Sequence, residues 1–167
     1  MRYPQQSWKA FSTTKIFPSH SLVTILNNQR CLGKTVATLN GSFDLLHAGH
    51  LYILYEASKT ADILVVALNT DASIQRYKSP SRPIIPLQER LEMVAALGIV
   101  DYVTWFDEDD PRDLLRLLRP DVHVNGTEYG HNCIEADIVR ECGGRLHLVD
   151  RIPGLATSQI LSTIRNL

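Results

Sequence analysis

The sequence has almost no net charge, no long apolar run and no cysteines in a metal-binding arrangement. Its 17 basic and 18 acidic residues give a formal net charge of −1, which argues against broad electrostatic binding to nucleic acid or an anionic membrane. No apolar run approaches the ~20 residues of a membrane helix, and no apolar signal core follows the polar residues 1–9. The three cysteines show no metal-ligand spacing, so we interpret them as small apolar side chains in a reducing compartment. These absences predict a cytoplasmic protein without a membrane or nucleic-acid partner.

Apolar runs alternate with helical patterns along the 167 residues, which is typical of one domain with a parallel sheet wrapped by helices. Strands are predicted at residues 35–39, 63–68, 101–106, 121–125 and 146–149. Right-handed crossovers then give a single Rossmann-like, doubly wound α/β domain with a five-stranded parallel sheet and helices on both faces. We expect this domain at residues 20–167, after an irregular arm at residues 1–19. Residues 70–86, with three prolines, are predicted to form a long polar loop that acts as a lid.

The segment at residues 41–50 (GSFDLLHAGH) follows the first predicted strand and has the chemistry of a phosphate site. His47 and His50 lie three residues apart at the predicted start of a helix, which can bring both rings to one face. Gly49 would let a ligand approach the backbone, and a helix N-terminus favours anions. Two imidazoles there could stabilise charge that grows during phosphoryl transfer. A metal pair or two structural histidines is the alternative, which we disfavour because the motif joins an apolar strand to a helix.

This segment resembles the signature of the HxGH nucleotidyltransferase superfamily, in its cytidylyltransferase-like branch. Five further segments carry the resemblance: residues 67–71 (ALNTD), Lys78 with Arg82-Pro83, Glu89-Arg90, residues 125–129 (NGTEY) and residues 154–160 (GLATSQI). The resemblance implies an enzyme that transfers a nucleoside monophosphate from an NTP, with ATP favoured, to a phosphorylated sugar or polyol and releases pyrophosphate. It also implies a homodimer, and Mg²⁺ carried mainly by the NTP phosphates without protein ligands.

The resemblance assigns roles to individual residues. The catalytic residues would be His47, His50 and Lys78, with Lys78 closing on the triphosphate from the loop. The residues expected to bind the nucleotide and its phosphates are Gly41, Ser42, Phe43, Gly49, Arg90, Gly126, Thr127, Glu128, Arg151, Thr157 and Ser158. Those expected to bind the acceptor or orient the motif are Asp44, Asn69 and Asp71. The alternatives are a solvated loop lysine at Lys78, a turn at residues 69–71 and a simple helix cap at Thr157. Ala156 departs from the family pattern, which usually has a hydroxyl there.

Within the superfamily, residues 40–50, the Arg82-Pro83 loop and residues 149–154 (VDRIPG) look like the adenylyltransferase domain of ADP-heptose synthase. That likeness implies transfer of AMP from ATP to D-glycero-β-D-manno-heptose 1-phosphate, for lipopolysaccharide cores. Many such domains are fused to a sugar kinase, which we expect here on a separate protein. Two alternatives stay open. One is a glycerol-3-phosphate cytidylyltransferase or a related enzyme that uses CTP, and the other is a non-catalytic nucleotide-binding module.

Overall fold

The computed structural model describes residues 7–150, 152 and 157–166, so the predicted site residue Arg151 lies outside the described residues. The strands are β1 (Val36–Gly41), β2 (Ile63–Asn69), β3 (Tyr102–Phe106), β4 (Val122–Gly126) and β5 (Arg145–Val149). All neighbouring strands pair in parallel, in the order β3-β2-β1-β4-β5. The predicted five-stranded parallel sheet is therefore confirmed, and its strand order matches the first five strands of the Rossmann order 3-2-1-4-5-6.

The helices are α1 (Trp8–Ser12), α2 (Ser19–Cys31), α3 (Ala48–Ser58), α4 (Asp71–Tyr77), α5 (Leu87–Ala95), α6 (Arg112–Leu118), α7 (Ala136–Glu141) and α8 (Thr157–Arg165). Short 3-10 turns cover Thr13–Lys15 and Thr127–Tyr129. None of the helices in the described ranges is long and apolar enough to cross a membrane.

The two faces of the sheet carry separate apolar cores, and β2 shows why. All seven of its residues are buried, and successive side chains point to opposite faces. Leu64 and Leu68 pack in a cluster with apolar residues of α3 and α5. Val65 and Ala67 pack in a second cluster with residues of α2 and α6. Helices therefore cover both faces, as predicted.

Residues 7–17 are not the irregular arm that the sequence predicted. Ser7 caps α1 by accepting a 3.3 Å hydrogen bond from the backbone N–H of Ala10, and a 3-10 turn follows. Lys15 Nζ donates to the carbonyls of Leu97 (3.0 Å) and Val100 (2.6 Å), just after α5. The Ser7 cap stabilises the helix, and the Lys15 hydrogen bonds hold the segment against the residues that follow α5.

The predicted loop at residues 70–86 is also partly helical. Thr70 Oγ1 accepts a hydrogen bond from the N–H of Ser73 at 3.1 Å and so caps α4, and Asp71 lies in its first turn. Such caps stabilise the positive end of a helix. Ile74 is fully buried and anchors the turn. The irregular part of the predicted lid is thus confined to residues 78–86.

A buried polar pair lies within the sheet between β1 and β4. Thr38 and His123 are register partners, and Thr38 Oγ1 lies 2.8 Å from His123 Nδ1. His123 is fully buried, and this desolvation lowers its pKa from 6.5 to about 4. The ring is therefore neutral in the folded protein at neutral pH.

We expect His123 to make the protein lose stability in mild acid. The unfolded chain takes up a proton near pH 6.5 and the folded chain only near pH 4, so this contribution is full above pH 6.5 and lost as the pH falls toward 4. The loss attributable to His123 is on the order of 3 kcal/mol. Urea unfolding between pH 7.5 and 4.5 measures it in the wild type and in His123→Gln, which cannot titrate. His20→Gln, at an exposed histidine, is the matched control. An unchanged pH dependence in His123→Gln would contradict this account.

Candidate functional site

A cavity of about 760 Å³ opens at the carboxyl edge of the sheet. The last residues of all five strands line it: Gly41, Asn69, Phe106, Gly126 and Val149. The strand order reverses between β1 and β4, and Rossmann-like sheets bind ligands in the crevice at this point. The volume is that of a typical small-molecule site.

Most of the predicted site residues meet at this cavity. Those that line it are Gly41, Ser42, Phe43, Asp44, His47, Gly49, His50, Asn69, Lys78, Gly126, Glu128, Thr157 and Ser158. Residues from five of the six segments therefore share one site, although their individual roles stay predictions.

The two histidines of the motif stack on each other at the start of α3. Their ring centroids are 3.8 Å apart with an interplanar angle of 24°. His47 is the N-cap of α3, and its Nδ1 accepts a 3.1 Å hydrogen bond from the N–H of Gly49. An accepting Nδ1 carries no proton, so the neutral His47 ring holds its proton on Nε2. The cap thus fixes one tautomer, with Nε2–H as the donor.

Phe43 supports this pair from the end of β1. Its backbone has a positive φ of 47°, and its buried ring lies 5.2 Å from the His50 ring, centroid to centroid. A Cβ atom at Gly41 would come within 3.2 Å of the Phe43 ring. Glycine at position 41 therefore leaves room for the ring that packs against His50.

Lys78 lies beside Ser42, at the end of α4. Its Nζ donates a 2.9 Å hydrogen bond to Ser42 Oγ, which is also 2.6 Å from the hydroxyl of Tyr77. Desolvation, followed by the charge of Arg82, lowers the pKa of Lys78 below its usual value. A phosphate anion would favour the charged ammonium again, so the surroundings of Lys78 suit an anionic ligand.

Asp44 anchors the irregular segment after Lys78. Its buried carboxylate accepts hydrogen bonds from Arg82 Nε (2.6 Å), Arg82 Nη2 (2.5 Å) and the N–H groups of Ile84 and Ile85 (2.9 Å each). Desolvation raises the pKa of Asp44, but the backbone donors and the Arg82 guanidinium together outweigh it and lower this pKa. Asp44 therefore stays ionised and holds this segment, and its predicted role in orienting the histidine motif stays a prediction.

The predicted phosphate contact of Arg90 is wrong. Its side chain is fully buried and does not line the cavity. The guanidinium instead donates to the carbonyls of Ile85 (2.9 Å), Ser42 (2.5 Å) and Asn69 (3.0 Å). It also pairs with Asp71 Oδ1 at 2.6 Å, so Asp71 holds Arg90 and does not line the cavity as an acceptor-binding residue would. An arginine in a helical pattern looks like a surface charge, because the sequence does not show these distant acceptors.

The turn after β4 is shaped by Gly126 and Glu128. A Cβ at Gly126 would contact the Glu128 carboxylate, so a larger residue at position 126 would require this exposed side chain to move. Thr127 is exposed on this turn between two cavity-lining residues, and its nucleotide contact stays a prediction.

Seven further cavity residues had no predicted site role, although three of them (Asn40, Arg82 and Asn125) lie in segments that carry the family resemblance. They are Asn40, Tyr77, Arg82, Asp109, Asp110, Asn125 and Glu135. Asp109 and Asp110 follow β3. Their position after a strand was the available signal, because every strand end contributes to this cavity. Glu135 gave no such signal, since it lies in the turn before α7.

Among the residues that the structure describes, no group of three or more His, Cys, Asp or Glu side chains is placed to hold a metal ion. The carboxylate of the motif, Asp44, is committed to four hydrogen bonds from the segment it anchors. The Asp44 carboxylate is therefore occupied by donors of the protein itself.

Comparisons with known proteins agree with this geometry. A family model described as cytidylyltransferase-like matches residues 38–164. The bifunctional protein HldE of Syntrophotalea carbinolica is 46% identical over 90% of this chain and 31% of its own length. The protein of that name from Methylobacillus flagellatus is 42% identical over 94% of this chain and 32% of its own length. The chain thus spans about a third of the curated relatives it matches.

Two solved structures are similar in fold. The lipopolysaccharide core biosynthesis protein from Thermoplasma volcanium has a TM-score of 0.58 and 27% identity, over 72% of this chain and 98% of its own. Pantoate-β-alanine ligase from Francisella tularensis has a TM-score of 0.59 over 90% of this chain and 77% of its own, but only 12% identity, and shows the fold alone.

We expect Arg90→Lys to weaken folding more than nucleotide binding. Lysine keeps the charge but cannot reach all four oxygens that the guanidinium binds, so unfolding free energy should fall by about 3 kcal/mol. Urea denaturation measures this change, with Arg116→Lys on the exposed side of α6 as the control. Unchanged stability with a raised KM for the nucleotide would restore the phosphate contact.

Proposed function

This chain belongs to the cytidylyltransferase-like family, and on that premise we propose that it transfers AMP from ATP to D-glycero-β-D-manno-heptose 1-phosphate. The products are ADP-heptose and pyrophosphate. The family match confirms the predicted nucleotidyltransferase class. The observation that carries the proposal is the stacked His47–His50 pair beside Lys78 in one cavity at the carboxyl edge of the sheet.

The relatives support the sugar acceptor. They are the HldE proteins, at 46% and 42% identity, and a solved protein of lipopolysaccharide core biosynthesis at 27% identity. The likeness of residues 40–50 and of the Arg82-Pro83 loop to the adenylyltransferase domain of ADP-heptose synthase points to the same acceptor. Because the chain covers only part of the HldE proteins, the acceptor is proposed from these two kinds of similarity together.

The cavity has two chemically different ends, which favour one orientation of the substrates. Beyond β4, beside the carboxylates of Glu128 and Glu135, the cavity also has apolar surface that suits the flat face of a base. The exposed side chains that offer it are Tyr129, Ile134 and Ile152. Beyond β2 and β3, the wall is formed by polar groups such as Asn69, Asp109 and Asp110. Carboxylates and amides accept hydrogen bonds from sugar hydroxyls, so we assign this end to the heptose.

The chemistry is direct transfer between the two ends. A phosphate oxygen of heptose 1-phosphate attacks the α-phosphorus of ATP in line, and the bond from that phosphorus to the β-phosphate oxygen breaks. Pyrophosphate leaves with the bonding electrons. His47 donates from Nε2–H, and His50 and Lys78 add donors for charge on the phosphoryl oxygens. Thr157 and Ser158, at the start of α8, would hold the β- and γ-phosphates.

The metal in this proposal arrives with the substrate. Mg²⁺ prefers oxygen ligands and retains several waters, so the triphosphate of MgATP would supply its ligands. We further propose that the protein works in the cytoplasm, where ATP and sugar phosphates are available, and as a homodimer. Sedimentation of the purified chain tests the dimer.

We expect pyrophosphate release with MgATP and heptose 1-phosphate. The assay runs every pair of ATP, CTP or GTP with heptose 1-phosphate or glycerol 3-phosphate. Release with CTP and glycerol 3-phosphate instead would replace the proposed reaction with a glycerol-3-phosphate cytidylyltransferase. Silence in every pair, with nucleotide still bound, would indicate another acceptor or a binding module.

We expect His47→Asn and His50→Asn each to lower kcat by roughly 10²- to 10³-fold, because each removes a donor to the transition state. Asparagine is a good N-cap, so His47→Asn should preserve α3 and the melting temperature. His20→Asn, at an exposed position outside the cavity, should keep the wild-type rate. Near-normal turnover in both motif variants would refute the phosphate role.

A further inference from the structure

Glu135 is a buried carboxylate in the wall of the cavity. It lies in the turn before α7, beside Ile134, and is only 6% exposed. Its side chain lines the end of the cavity beyond β4, next to Asn125.

The hydrogen-bond partners of Glu135 are weak for a buried charge. Asn125 Nδ2 donates to Glu135 Oε2 at a long 3.4 Å. The second donor is the thiol of Cys133, whose pKa is raised by desolvation and then by its hydrogen bond to Glu135, so the S–H stays protonated. No basic side chain in the described part of the chain forms an ion pair with Glu135. A carboxylate offers about four acceptor positions, and buried charges are normally satisfied. Glu135 therefore has acceptor capacity left for a ligand in the cavity.

The surroundings indicate which ligand group would meet this carboxylate. Ile134 precedes Glu135 in the chain, and Tyr129 and Ile152 line the same end of the cavity. Apolar side chains suit the face of a nucleobase better than they suit a ribose, whose edge is formed by hydroxyls. The strongest donor on the edge of adenine or cytosine is the exocyclic amino group.

We infer that Glu135 accepts a hydrogen bond from the exocyclic amino group of the base and so selects NTPs that carry one. This inference rests on the proposed function, because it takes the cavity as an NTP site. A base with a carbonyl at that position would place an oxygen against the carboxylate, which is repulsive and leaves Glu135 buried without a donor. ATP should therefore bind better than ITP, in which a carbonyl replaces the amino group and the adjacent N1 carries a proton.

The test compares nucleotide affinities in the full chain without any acceptor. Isothermal titration measures Kd for ATP, ITP and 2′-deoxy-ATP in the wild type, Glu135→Gln and the control Glu141→Gln, an exposed glutamate at the end of α7. We expect the wild type and the control to prefer ATP over ITP by about 10- to 100-fold. Glu135→Gln should lose most of this preference, since an amide can donate to the carbonyl of ITP. Glu135→Asp, which keeps the charge, should retain the preference at lower affinity.

Each contrary outcome has a distinct meaning. An ATP-to-ITP ratio that is the same in Glu135→Gln and the wild type would overturn the inference and leave the proposed function standing. If Glu135→Gln weakened the binding of ATP but not of 2′-deoxy-ATP, the result would overturn the inference in favour of a contact between Glu135 and the ribose. Failure of the wild type to bind any of the nucleotides would overturn both the inference and the proposed function.

Discussion

The site depends on one buried cation. The Arg90 guanidinium ties the carbonyl that follows β1, at Ser42, to the carbonyl at the end of β2, at Asn69, and it pairs with Asp71 at the start of α4. Its fourth partner, Ile85, belongs to the segment that Asp44 also holds. A desolvated guanidinium is tolerated only when oxygens surround it, so these four pieces of backbone must keep their relative positions. The histidine motif and Lys78 are attached to these same segments, so their relative positions are fixed as well.

Much of the fold could be predicted because buried parallel strands read as continuous apolar runs, and the segment ILVVALN of β2 is buried throughout. The site could be located because His47 and His50 stand where a strand meets a helix. Short elements were missed: α4 depends on a cap at Thr70 and one buried side chain, signals too local for periodicity to reveal. The hydrogen-bond partners of Arg90 could not be predicted either, since two of them are backbone carbonyls distant in sequence.

The active cavity is asymmetric, and this asymmetry has a physical source in the sheet. β4 and β5 lie on one side of β1, and β2 and β3 on the other. The turns beyond β4 expose apolar side chains such as Tyr129 and Ile134, whereas those beyond β3 expose Asp109 and Asp110. A ligand with an apolar and a hydroxyl-rich part, joined by phosphates, matches this polarity in one direction. The strand order thus gives the site a direction before any side chain contacts a substrate.

Residues 7–17 have a consequence for the colloidal behaviour of the protein. β3 is an edge strand, and Ile16 forms an isolated parallel bridge with Val103 while the N–H of Phe17 donates to the Val103 carbonyl at 2.9 Å. The Phe17 ring meets Tyr102 edge to face, 5.9 Å between centroids. An uncovered edge offers free backbone groups to strands of other molecules and is a template for aggregation. The N-terminal segment blocks that template on the β3 side, so it protects the sheet from growing by intermolecular pairing.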